Sequence, residues 1–224
     1  MTLEKTLDLG AAPASANDSL WQEAYEHPVT TAGAVAATAG ALYLGGTALG
    51  RLALKSKPCE VLLFERTKFM GKALEDVLKE NGHNVTWLSG MKNLDQFVGQ
   101  DLAGSEVALD PKKFDFAVVA GGLDGKFSGM DIVGNLTTRR IPSLGLGTSS
   151  DMTDALKVNG AIASNKAVGF QSLLDKSFNL RGAMRTPQTY QAHLDDLATK
   201  INVDPSLRSE AEARLMKAMQ ETND

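Results

Sequence analysis

Between residues 58 and 180, short apolar runs alternate with longer amphipathic stretches. The run CEVLLF (59–64) lacks polar alternation, as expected of a strand covered on both faces of a sheet. Thr67 is suited to capping a helix, and Met70, Ala73, Leu74, Val77 and Leu78 then follow helical spacing up to Gly82, a left-handed stop. NVTWL (84–88) predicts a second strand. Met91, Leu94, Phe97 and Val98 predict a second helix, followed by an irregular stretch over 99–113. FDFAVVAG (114–121) is the most strand-like run of the chain. A glycine-rich loop then leads to Gly129 and a short helix over 131–138. IPSLGLG (141–147) predicts a fourth strand and 151–160 a helix stopped by Gly160. AIAS (161–164) predicts a fifth strand and 168–178 a closing helix. Five strands alternating with helices imply a parallel sheet with helices on both faces, and such sheets gather functional groups at the carboxyl ends of their strands.

The flanks differ from this pattern. Thr186-Pro187 starts a helix with Tyr190, Leu194, Leu197 and Ile201 on one face. Asp204-Pro205-Ser206 starts another, with Leu207, Ala211, Leu215 and Met219. This helical pair either docks on its own domain or offers a surface to a partner or a second copy. Residues 1–27 read as a flexible leader. No basic start precedes an apolar run, as a secretory signal requires, and the first arginine is Arg51, which argues against a transit peptide. Residues 28–50 are uncharged and rich in Ala, Gly and Thr, long enough to span a bilayer but weak in transfer energy. They are a candidate for membrane association that would leave the rest of the chain in the cytoplasm, or else a loosely packed Ala/Gly helix or linker. The expected organisation is therefore a leader (1–27), an apolar segment with a basic hinge (28–57), the alternating domain (58–180) and a helical tail (181–224).

Composition narrows the function. Lys and Arg number 23 against 27 Asp and Glu, a net charge of -4, so no basic excess favours nucleic acid. The tail carries no basic recognition helix. Cys59 is the only cysteine and there are three histidines, too few for a Cys/His zinc set.

The order of parts over 59–180 resembles a response-regulator receiver domain. ALKVNGAIASNK (155–166) resembles the passage from helix 4 to strand 5, and SGMDIV (128–133) the loop after the phosphoacceptor. FDFAVVA (114–120) resembles strand 3, and IPSLGLGTSSD (141–151) strand 4 with its switch loop. The resemblance implies a flavodoxin-like fold of five parallel strands, here with an N-terminal Ala/Gly-rich helix and a C-terminal helical pair. It also implies an aspartate phosphorylated at the end of strand 3, an acidic pair after strand 1 that holds Mg²⁺, a hydroxyl after strand 4 and a lysine after strand 5.

Several of those positions depart from the pattern. After strand 1 stand Glu65 and Arg66, one carboxylate and one guanidinium, which leaves Glu65 as the only candidate metal ligand. Matching along the strand places Ala120 at the acceptor position; matching back from SGMDIV places Asp124 there. Thr148 stands one residue from the hydroxyl position, and Lys166 matches the lysine. This set implies a pseudo-receiver: a non-enzymatic interaction module without a cofactor, Mg²⁺ being needed only if the phosphoryl site works. The implied partner is a protein, met through the 151–178 face or the tail helices, with a homodimer as one form. Val158, Ile162, Phe170 and Leu174 are candidate core or contact residues of that face. The alternatives are a working receiver phosphorylated on Asp124 and a small flavodoxin-like ligand-binding domain.

Other motifs carry less. GGLDGK (121–126) lacks the first glycine and the Ser/Thr of a Walker loop, and GLGT (145–148) lacks the third glycine of a dinucleotide site. His83 is expected to be a solvated turn residue, Cys59 a small core residue, and Trp87 core.

Overall fold

The computed structural model describes residues 58–123 and 125–221. The leader, the 28–50 segment, the basic hinge and Asp124 lie outside the described residues.

The central sheet is built from β1 (Glu60–Phe64), β2 (Asn84–Leu88), β6 (Phe116–Ala120), β7 (Ser143–Gly147) and β8 (Ile162–Asn165), in the order β2-β1-β6-β7-β8. All four pairings are parallel. Helix α1 (Lys68–Glu80) joins β1 to β2, α2 (Gly129–Thr138) joins β6 to β7, and α3 (Ser150–Val158) joins β7 to β8. Beyond β8 lie α4 (Lys166–Leu174), α5 (Leu180–Arg185), α6 (Pro187–Val203) and α7 (Pro205–Glu221).

Strand periodicity divides the core in two. Val61 and Leu63 of β1, Phe116 and Val118 of β6, and Leu144 and Leu146 of β7 face one side, where α1 and α4 supply Leu74, Leu78, Val168 and Leu173. Leu62, Phe64, Ala117 and Val119 face the other, against Ile132 and Leu136 of α2 and Leu156 of α3. The expected five strands are present, with every expected flanking helix except the one between the second and third of them. Gly82 (φ 82°) and Gly160 (φ 100°) take up left-handed conformations after α1 and α3. Helix α2 is closed by a capping box in which the Ser128 side chain accepts from Asp131 N and the Asp131 carboxylate accepts from Ser128 N.

Three expectations fail locally. No helix covers 91–98. Residues 90–108 form a small antiparallel sheet instead, with β3 (Gly90–Asn93), β4 (Val98–Gln100) and β5 (Glu106–Ala108) in that order. Met91 and Phe97 still enter the second core, but from either side of a turn rather than from one helix face. Phe97 sits at φ 54°. Gly99 passes so close to Leu88 that an added Cβ would lie 2.8 Å from its Cδ1. The Arg139 guanidinium, on the ring of Phe97 at 4.8 Å, donates to the carbonyls of Leu94 and Asp95 and latches the turn from the end of α2. Secondly, Thr67 occupies the cap position of α1 but its hydroxyl caps nothing. Thirdly, His83 is half-buried rather than solvated. Its Nδ1 accepts from the Cys59 backbone N–H at 3.3 Å, and burial, with Arg181 nearby, lowers its pKa.

The tail packs on its own domain. Leu194, Ile201 and Ala211 are buried in the first core. Helix α6 lies beside β8 and α4, and α7 against α1 and α4. No helix among the described residues is long and apolar enough to cross a membrane.

Candidate functional site

The carboxyl ends of β1, β6, β7 and β8 bring the sequence-singled residues to one end of the sheet. Glu65 directly follows β1 and is 2% exposed. A carboxylate so far from water needs partners for both oxygens, and it has them. Oε1 accepts from the Thr67 backbone N–H at 2.8 Å, and Oε2 accepts from Lys166 Nζ at 2.7 Å. Lys166 is the first residue of α4, directly after β8, so two loop ends on different strands meet across the top of the sheet. The Trp87 indole donates to the Glu65 carbonyl oxygen at 2.7 Å and holds the turn from β2.

Ala120 closes β6 and is buried. The chain turns tightly after it: Gly121 N donates to Leu146 O, and Gly121 lies under Met152, where a Cβ would come within 2.4 Å of the sulfur. Gly129 passes over the same strand end, where a Cβ would lie 2.4 Å from the Ala120 carbonyl oxygen. Thr148 is exposed after β7, its hydroxyl 3.5 Å from the Met152 sulfur. Its neighbour Ser149 caps α3 by accepting from Met152 N. Arg66 is exposed and lines a cleft of about 350 Å³ together with Ser89, Gln100, Asp101, Leu123 and Phe127. The structure thus joins Glu65 to Lys166 directly and places Arg66 on a cleft that is also lined by Leu123 and Gly125, the chain neighbours of Asp124.

A hard divalent cation needs several oxygen ligands. Glu65 offers one carboxylate with both oxygens engaged and an ammonium on one of them. Among the described residues no cluster of three or more His, Cys, Asp or Glu side chains could hold a metal ion. The described donor set does not fit Mg²⁺.

Two residues not singled out in the sequence, Arg139 and Gln191, matter to this geometry, as does Trp87, expected in the core but only partly buried against it. Arg139 latches the turn of the small sheet, and the Trp87 indole anchors the Glu65 turn. Gln191 of α6 faces β8: its Oε1 accepts from Ala163 N at 2.8 Å and its Nε2 donates to Ala163 O at 2.9 Å. None carries a motif; only the three-dimensional neighbours reveal them.

A five-stranded parallel sheet in this strand order, with helices on both faces, is the flavodoxin-like doubly wound class, whose functional groups stand at the carboxyl ends of the strands. No protein-family model and no curated protein matches the chain. Receiver domains recur among the solved structures to which it is similar. One is the signal receiver domain of a modulated diguanylate cyclase from Desulfovibrio desulfuricans, 15% identical, covering 62% of this chain and 97% of that one at a TM-score of 0.39. Another is a CheY-like receiver domain protein from Methanospirillum hungatei, 14% identical, covering 64% and 98% at 0.37. A third is a response regulator from Burkholderia pseudomallei, with a phosphorylated aspartic acid, calcium ion and citrate. It is 17% identical and covers 74% and 98% at 0.39. The strand order, rather than these likenesses, defines the fold class.

Proposed function

We propose that residues 58–180 form a receiver-like module that works by protein contact and has lost the phosphoryl switch, in the setting of two-component signalling. The observation that carries this reading is the Glu65–Lys166 pair. Phosphoryl transfer to a carboxylate needs a cation held by free carboxylate oxygens and a lysine free to meet the phosphoryl oxygens. Here the lysine is spent on the one remaining carboxylate of the pair, at 2.7 Å. Ala120 at the end of β6 supports the same reading, because alanine offers no acceptor.

The contact surface of the proposal is the outer part of the 151–178 face and the tail. Ile162 and Phe170 of that face are core, Leu174 is partly buried against it, and Val158 is 87% exposed. Leu207 and Met216 of α7 are exposed as well. Membrane association through residues 28–50 belongs to the proposal too, and flotation of the full chain with anionic liposomes checks it.

The test is the intact mass of the full chain after acetyl phosphate and Mg²⁺, beside an Asp124→Ala variant. The proposal expects no adduct in either. A phosphoryl adduct on the wild type that vanishes in Asp124→Ala would make the protein a working receiver with a displaced acceptor.

A further inference from the structure

The two edges of the sheet are treated differently. In a parallel ladder, alternate residues turn both N–H and C=O to the same neighbour. At β8 the outward pair belongs to Ala163, and the Gln191 carboxamide satisfies both groups. Asp195 in turn accepts from Gln191 at 2.9 Å and from Lys157 at 2.9 Å, which fixes this side-chain cap in place. At the opposite edge, Asn84 N donates to Cys59 O and Leu88 O accepts from Glu65 N, so the even-numbered residues of β2 face β1. The N–H and C=O groups of Val85 and Trp87 therefore face outward, and β2 pairs only with β1 among the described residues.

Beside that open edge lies an apolar groove of about 560 Å³, lined by Lys68, Phe69, Lys72, Trp87, Leu102 and Ala103. Phe69 is 44% and Leu102 40% exposed, and the two line the same groove. Lys72 is engaged with Asp76, whereas Lys68 is exposed and forms no ion pair among the described residues.

We propose that the outer edge of β2 and this groove form a docking site for an extended segment of a protein partner, added as a sixth strand. Main-chain bonds to Val85 and Trp87 supply affinity, an apolar side chain fills the groove, and an acidic residue meets Lys68. A second copy pairing through the same strand fits less well. The sequence Asn84-Val85-Thr86-Trp87-Leu88 carries no carboxylate, so it would leave Lys68 unmatched. The proposal rests on reading the domain as a contact module and names one surface for that contact.

The probe is a fluorescein-labelled peptide of alternating Thr and Val ending in Leu-Asp-Asp, titrated with the full chain and read by anisotropy. A twin ending in Leu-Lys-Lys and a third with N-methylated valines serve as comparisons. Saturable binding of the acidic peptide is expected, weakened about tenfold in the lysine twin and lost in the N-methylated one, since charge matching and main-chain bonding both contribute. Lys68→Glu should weaken binding by a similar factor. Val85→Pro should abolish it, because proline removes only an outward N–H there; circular dichroism confirms that both variants fold. Slowed hydrogen exchange at the Val85 and Trp87 amides should accompany binding. Absence of saturable binding up to about 1 mM, a dissociation constant too weak for a specific site, would overturn the surface. So would wild-type affinity in both variants, or a dimer by sedimentation that Val85→Pro dissolves and the peptide fails to disrupt. A phosphoryl adduct on Asp124 would instead strike at the contact-module reading itself, so the two failures are separable.

Discussion

At the scale of single residues, the Glu65–Lys166 pair is the decisive feature. Glu65 is buried while Lys166 keeps about a fifth of its side chain exposed, so the worth of the pair lies in satisfying the buried carboxylate rather than in net stabilisation. Removing one partner strands the other. We expect Lys166→Met to destabilise the fold by less than the roughly 3–5 kcal/mol of a fully buried pair, because Lys166 is partly exposed and Glu65 keeps its bond from Thr67, and the double variant Glu65→Leu, Lys166→Met to recover much of the loss. Urea denaturation of the three proteins checks this; a double variant no more stable than Lys166→Met alone would contradict it. His83 carries a pH dependence of definite sign. Burial first, then Arg181, hold its pKa below the ordinary 6.5. The neutral ring is therefore favoured in the fold. Its contribution is complete above pH 6.5 and is lost as pH falls through the lowered folded value. Thermal melts should show stability dropping below pH 6.5, with the drop reduced in His83→Gln.

At the scale of elements, α1 and β2 are locked by one close approach. A Cβ on Gly71 would lie 1.9 Å from Cζ2 of Trp87, and the ring cannot swing aside without losing its bond to the Glu65 carbonyl. Helix propensity favours alanine over glycine by about 1 kcal/mol, but overpacking costs about 1–3 kcal/mol. We therefore expect Gly71→Ala to destabilise, and a Trp87→Leu background to convert it to neutral or stabilising, as measured by chemical denaturation. At the other edge, Gln191→Ala should cost about 1–2 kcal/mol through the two lost bonds, with faster hydrogen exchange at Ala163. An unchanged exchange rate would show that the carboxamide does not cap the edge. The strands were legible in the sequence because a fully buried strand is an uninterrupted apolar run, as at Val61–Phe64 and Phe116–Ala120. The stretch from Gly90 to Ala108 was not. Met91, Leu94 and Phe97 fall at helical spacing, yet a turn between two short strands delivers Met91 and Phe97 to the same core. Periodicity cannot separate the two when the apolar run is this short. Glu65 and Lys166 were legible as single residues. Their pairing was not, because they are 101 residues apart and only the sheet order brings them together.

At the scale of the molecule, the tail completes the domain. Helix α6 closes the β8 edge and buries Leu194 and Ile201 against the core shared by α1 and α4. Arg214 of α7 reaches Asp175 at 3.2 Å, just past the end of α4. The tail seals one edge of the sheet, and the proposed contacts fall elsewhere, on the outer surface of the tail and on β2. The same economy holds at the top of the sheet, where the carboxylate and ammonium that a phosphoryl switch would leave free are turned on each other.

That closure can be read from Trp87, whose indole is bonded to the Glu65 carbonyl. In a Trp21→Phe background it is the only tryptophan left. The most direct measurement is its fluorescence during a Mg²⁺ titration of the full chain. A closed pocket predicts no saturable change up to about 20 mM, since Mg²⁺ dehydrates reluctantly and would have to displace Lys166 from its partner. A saturating change that Glu65→Gln abolishes would mean that the pocket still takes the cation, and the lost switch would be contradicted at its first step.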